Sequence, residues 1–190
     1  VNRYFAAEEG RLDELMKVDV PPVDGTDVKR LTNTVGYDGG PWWSPDGKRI
    51  AYRAHHPKDS VEVKAYKDLL AQGLIRPSKV ELYVMNADGS DNRQVTVLGG
   101  ANFGPSWTPD GKKIIFASNY VAPRSGNFEL YLVDANASLA GADKIEQITF
   151  NATFDGFPMF SPDGKKLIFA SNRHNDIVTE TNLFIADWKP

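Results

Sequence analysis

The chain has 190 residues, 41% hydrophobic and 25% charged, with a formal charge of −3, enough to bury a core as one or two globular domains. No run of about twenty apolar residues occurs, which excludes a membrane span, and no basic stretch followed by an apolar one opens the sequence as an export signal does. The absence of cysteine excludes disulfides, thiolate metal sites and a cysteine nucleophile, while lysines scattered through turns make no basic stripe, so nucleic acid is not an expected partner.

The first element predicted is a short amphipathic helix in "FAAEEGRLDELMK", with Phe5, Leu12, Leu15 and Met16 on one side. It either docks on a partner or packs on its own domain. "VDVPPVDG" follows, where Pro21 and Pro22 weaken any strand. From Val28 a repeat begins, and a repeat decides architecture before any single motif does. Thr32, Thr96 and Thr149 each end a short alternating run ("VKRLT", "NRQVT", "IEQIT"), and each is followed nine residues later by Pro41, Pro105 or Pro158. After each proline come an aromatic (Trp43, Trp107, Phe160), a Ser/Thr-Pro-Asp-Gly-Lys turn and an apolar strand ("RIAYRA", "KIIFAS", "KLIFAS"). Pro fixes φ, Asp bonds its own backbone and Gly takes positive φ, so each copy opens with a tight hairpin. A third strand follows ("ELYVMN", "ELYLVD", "NLFIAD"), and the alternating runs at Val28–Thr32, Asn92–Thr96 and Ile145–Thr149 supply fourth strands. Four short antiparallel strands per repeat predict an all-β fold, a β-propeller of four-stranded blades. About three blades are present, which is a partial propeller or half of a six-bladed ring, because closed rings take about four to eight. Residues 1–23 are read as a helical or linker segment and 24–190 as blades.

Two insertions interrupt the copies. The first, between His55 and Leu82, is sixteen residues longer than its counterpart between Asn119 and Leu130, and Val63, Tyr66, Leu69 and Leu70 give it a helical stripe ended by Gly73. A helical insert is therefore expected at about residues 58–77. The second lengthens the connection from Asp134 to Thr149 by five residues over that from Asn86 to Thr96, and "NASLAGADK" reads as a surface loop without a role.

If the first strand of each blade runs down a central channel, the loops before it and after the second strand share the upper face. Before the first strands stand Tyr37-Asp38-Gly39, Ala101-Asn102-Phe103 and Phe154-Asp155-Gly156; after the second stand His55-His56, Asn119-Tyr120 and Asn172-Arg173-His174. All three histidines lie there. Asp38, Asn102 and Asp155 occupy equivalent positions and point either to the channel mouth, as ligands for a cation, water or peptide, or to the nearby turn backbone as caps. The candidate binding face is thus Tyr37, Asp38, His55, His56, Asn102, Phe103, Asn119, Phe154, Asp155, Asn172, Arg173 and His174. Asp46, Asp110 and Asp163 are assigned to their turns, not to catalysis. No Gly-x-Ser-x-Gly elbow, His-Glu-x-x-His, phosphate loop or Gly-x-Gly-x-x-Gly occurs, so no catalytic residue, metal or cofactor is assigned. "NAS" at Asn136 and "NAT" at Asn151 match glycosylation sequons, a weak signal.

With "SPDGK…IAY…LYVMNADGS…RQVT" the sequence resembles the TolB-like β-propeller family over about residues 24–190, and "GYDGGPWWSPDGKRIAYRAHHP", "YKDLLAQGLIRP" and "TFDGFPMFSPDGKKLIFASNR" are similar to the C-terminal half of a longer exported bacterial propeller. "VNRYFAAEEGRLDELMK" departs from it, standing where another blade is expected. The resemblance implies a non-enzymatic protein-binding scaffold of the bacterial envelope, periplasmic or secreted, with a protein partner and assembly as a homodimer or within a larger complex. The same repeats also serve enzymes, which leaves the alternative of a metal-dependent oligogalacturonide-lyase-like site or the gating domain of a prolyl-oligopeptidase-like peptidase.

Overall fold

The computed structural model describes residues 28–74, 79–174, 177 and 180–189, and the chain divides into two compact units, residues 1–33 and 34–190. The expected N-terminal helix lies outside the described residues. In the first unit, residues 28–33 form no strand, against the expectation for Val28–Thr32. The physical reason is visible in the second unit, where the strands made by the equivalent runs are only two and three residues long and carry few ladder bonds.

The second unit is three antiparallel sheets. The first blade is β1 (Tyr37–Trp43), β2 (Arg49–His55), β3 (Glu81–Asn86) and β4 (Arg93–Gln94), hydrogen-bonded in that order. The second is β5 (Asn102–Trp107), β6 (Lys113–Ser118), β7 (Glu129–Asp134) and β8 (Ile145–Gln147). The third has three strands, β9 (Asp155–Phe160), β10 (Lys166–Ser171) and β11 (Asn182–Asp187).

Each inner strand bulges at the same place, between Gly39 and Trp42, Phe103 and Ser106, and Gly156 and Met159. Pro41, Pro105 and Pro158 sit in these bulges, where a residue without an N–H interrupts no ladder bond. The turns below them are built identically. Ser44 Oγ donates to Asp46 Oδ1 at 2.6 Å, the same carboxylate accepts Lys48 N at 3.1 Å, and Gly47 takes φ +68°. Thr108 with Asp110 (2.7 Å) and Ser161 with Asp163 (2.6 Å) repeat the arrangement. The donated hydroxyl, then the lysine N–H, holds all three carboxyls below the ordinary carboxylate range.

Blades stack face to face. Ala51, Leu82 and Val84 of the first share a core with Trp107, Ile114, Phe116, Tyr131 and Val133 of the second. Ile115, Ala117, Leu130 and Leu132 on the second blade's other face pack with Leu167, Phe169, Phe160 and Phe184 of the third. Period-two alternation thus feeds two interfaces from one sheet, each fully buried large side chain contributing about 2 kcal/mol.

Helix α1 (Ser60–Leu70) rides on the first blade within the expected insert. Asp59 caps it, accepting Val61 N and Glu62 N at 2.8 Å each, and Gly73 at φ +71° ends it. Its anchor is Tyr66, whose hydroxyl donates to Gly36 O at 2.6 Å, just before β1.

Candidate functional site

The upper end of the blades is built in tiers that repeat from blade to blade. Outermost, Asn119 Oδ1 accepts Ala101 N and Asn172 Oδ1 accepts Phe154 N, both at 2.8 Å, so an amide after the second strand clamps the start of the first. His55 holds the same position in the first blade, opposite Tyr37 in the β1–β2 register.

One residue inward, Asn102 and Asp155 are fully buried. Ser118 Oγ donates to Asn102 Oδ1 at 2.5 Å, and Ser171 Oγ donates to Asp155 Oδ1 at 2.6 Å. Asn102 Nδ2 donates across the blade boundary to Val80 O (2.9 Å) and Glu81 Oε2 (3.2 Å). Asp155 carries a negative charge instead, and Arg173 meets it in an ion pair while Asn151 Nδ2 donates at 3.2 Å. In the first blade the position is Asp38, opposite Ala54, and His56 Nε2 lies 2.8 Å from its carboxylate. Each aspartate thus meets the residue two places after the second strand's last inward position, His56 or Arg173, whereas Asn102, where that residue is Tyr120, spends its amide on Val80 O and Glu81 instead. A buried carboxylate without such a partner is strongly unfavourable.

A third tier ties the repeated threonines to two glutamates that the sequence reading did not single out, Glu81 and Glu129. Glu81 accepts Thr96 Oγ1 (2.6 Å), Leu98 N (2.9 Å) and Gly99 N (2.7 Å), and Thr96 Oγ1 accepts Leu82 N at 3.0 Å. Glu129 and Thr149 repeat this at 2.6 Å, with Leu130 N donating to Thr149 Oγ1 at 2.9 Å. Burial pushes the Glu129 carboxyl up, and the Asp155 charge adds to it. The signal was present: glutamate opens both "ELY" strands, and threonine ends all three alternating runs.

The candidate aromatics form the rest of the upper end. Phe103 packs edge-on against Phe128 at 4.9 Å and lies 5.1 Å from Phe157, and Phe154 closes the group against Phe128 at 5.8 Å. Tyr37 accepts Arg53 Nη2 at 3.0 Å. These rings obey an exchange: Tyr37 and Phe154 fold over Gly39 and Gly156, where an added Cβ would meet them at 2.4 and 2.5 Å, whereas in the second blade Ala101 leaves the space to Phe103. Phe157 was not anticipated. It has φ +54° where the repeat places Gly40 (+60°) and Gly104 (+61°), and it is 56% exposed. His174, at φ +54°, is exposed beside the Arg173–Asp155 pair. The tiers therefore bring Phe103, Phe154, Asp155, Asn172 and Arg173 together at the boundary of the second and third blades, Asn102 with Asn119 on the side of the first and second, and Tyr37, Asp38 and His56 into one group on the first. No three His, Cys, Asp or Glu side chains cluster as metal ligands among the described residues.

The sequence matches the TolB beta propeller domain family over residues 67–175. An uncharacterized protein of Agrobacterium fabrum is 30% identical over 152 residues, covering 80% of this chain and 41% of that protein. Dipeptidyl-peptidase 5 of Porphyromonas gingivalis is 29% identical over 129 residues, 68% of this chain and 16% of that one. The crystal structure of TolB from Acinetobacter baumannii superposes with a TM-score of 0.60 at 25% identity, covering 87% of this chain and 33% of its own. The chain thus spans less than half the length of each of these relatives.

Proposed function

Because the chain belongs to the TolB β-propeller family, we propose that it is a non-enzymatic protein-binding module of the bacterial cell envelope, periplasmic or secreted, that engages its partner through the upper end of the blades. One observation carries the reading. The buried polar side chains there are consumed by the framework, as for Asn102 and Asp155, while the groups left to solvent are Phe157, His174 and the edges of Arg173 and Tyr37. Aromatic and arginine side chains on a rigid, internally satisfied platform suit a protein interface. The likeness to a TolB crystal structure supports the same reading.

The likeness to a dipeptidyl-peptidase favours a second reading, in which these blades gate a hydrolase domain elsewhere in a longer polypeptide. Affinity capture from a periplasmic extract separates the two. A partner held by the native protein, and released by Phe157→Asp and His174→Glu with unchanged thermal unfolding, is the expected result. Turnover of peptide or uronate-oligomer substrates by the purified native polypeptide would overturn the scaffold reading.

A further inference from the structure

Two asparagines open Asn-x-Ser/Thr acceptor motifs, Asn136-Ala137-Ser138 and Asn151-Ala152-Thr153, and the fold treats them oppositely. Asn151 belongs to the upper framework. Its Nδ2 donates to Asp155 Oδ1 and Thr153 Oγ1 at 3.2 Å each and to Phe154 O at 3.4 Å, while the Thr153 hydroxyl is spent on Asn172 Oδ1. A sugar on that nitrogen would take a donor from the fully buried Asp155 carboxylate, whose charge needs it.

Asn136 stands at the lower end, in the turn after β7, and is exposed. Its amide has a fixed sense. Arg49, whose guanidinium lies over the Trp107 ring at 4.5 Å and donates to Gly111 O at 3.0 Å, also reaches the Asn136 amide at 3.1 Å. A guanidinium carries donors only, so it must meet Oδ1, and Nδ2 is turned away from it. That nitrogen has no protein acceptor among the described residues, and the hydroxyl of Ser138, also exposed, has no protein partner among them either. The segment is pinned at its ends and turned outward between them. Arg93 donates to Ala135 O (2.7 Å) and Ala137 O (2.6 Å), Ala140 N donates to Val95 O at 2.7 Å, and Ala135 and Ala140 are fully buried, whereas Asn136, Ser138 and Leu139 are exposed. Asp134 lengthens the motif to "DANAS". Its Oδ1 accepts Asn136 N at 2.7 Å, and it supplies the carboxylate two places before the asparagine that bacterial oligosaccharyltransferases read.

We propose that Asn136 is the acceptor of an N-linked glycan, transferred from an oligosaccharide carried on a polyprenyl pyrophosphate. Nδ2 forms a bond to the anomeric carbon, the bond from that carbon to the pyrophosphate oxygen breaks, and the proton lost by the amide passes to a base of the transferase. Oδ1 keeps Arg49, so the fold is undisturbed. The glycan stands at the opposite end of the blades from the upper loops and leaves them open. The inference rests on the envelope placement, where such donors are presented, and not on the binding role of the upper end.

The purified full chain, incubated with a bacterial oligosaccharyltransferase and a polyprenyl-pyrophosphate oligosaccharide, should gain the mass of one glycan, confined to the tryptic peptide of residues 125–144. Asn136→Gln and Ser138→Ala should abolish the gain, Ser138→Ala with unchanged thermal unfolding because its hydroxyl holds no part of the fold, and Ser138→Thr should retain it. A native chain left bare, a gain on residues 145–165, or one that survives Ser138→Ala would each overturn the proposal. In chain recovered from the envelope fraction of its own cells the same peptide should carry the glycan. Bare Asn136 in that fraction overturns this proposal alone, whereas recovery from the cytoplasm only overturns the envelope placement along with it.

Discussion

At the scale of single residues, backbone conformation and local hydrogen bonds decide which positions are free to vary. Gly104 has φ +61°, so Gly104→Ala introduces left-handed strain, its Cβ meeting Phe157 at an ordinary contact distance of 3.5 Å. It should lower stability by about 1–2 kcal/mol in denaturant unfolding. Phe157 bears the same strain without a glycine, and Phe157→Gly, relieving it while losing a half-exposed ring, should leave stability within about 0.5 kcal/mol of the native protein. A loss above about 2 kcal/mol would instead make Phe157 a packing residue. The turn carboxylates give a pH dependence of definite sign. The Thr108 hydroxyl holds Asp110 below its ordinary value of 3.8, so its stabilising contribution is complete above that value and is lost as pH falls through it towards the lowered one. Asp110→Asn should therefore flatten the acid limb of the melting temperature against pH. An unchanged limb would remove the turn from the account of acid unfolding.

At the scale of elements, strand order follows from the repeat, and the charge balance of the inner tier follows from which residue faces the buried Asp or Asn. Arg173→Leu strands a fully buried carboxylate and should cost about 3 kcal/mol. Asp155→Asn removes the charge that Arg173 offsets, so adding it to Arg173→Leu should recover most of that loss in a double-mutant cycle. Additive losses would show that the two residues do not act as a pair. The hairpins and the helical insert were legible in sequence because turn chemistry and period-two alternation are local. The Glu81–Thr96 and Glu129–Thr149 links were not read, since each joins residues far apart in sequence and the glutamates pass for ordinary strand openers. Loop 136–144, read as surface, is mostly exposed, and only Ala140 in it is buried against the neighbouring blade, a contact no local pattern announces. The strand expected at Val28–Thr32 rested on alternation and on the Thr32–Pro41 spacing of the repeat, but runs that form only two or three ladder positions elsewhere in the chain are marginal anywhere.

At the scale of the whole second unit, the faces of successive blades are interchangeable in kind, and that has a consequence at the last of them. Ile115, Leu130 and Leu132 on the second blade are buried under the third, at 0%, 0% and 5% exposure. Their counterparts on the third blade, Ile168, Leu183 and Ile185, are 36%, 75% and 69% exposed, and Met159 beside them is 43% exposed. Such a contiguous apolar face, matched in residue type to one that binds a blade, drives association rather than solvation. The isolated chain should therefore show a concentration-dependent increase in mass by sedimentation or light scattering. Ile185→Lys should abolish that increase without lowering the melting temperature, because the side chain packs on little within its own blade. A strictly monomeric native chain at all concentrations would mean that the face is tolerated in water, and the resemblance between buried and exposed blade faces would then carry no energetic weight.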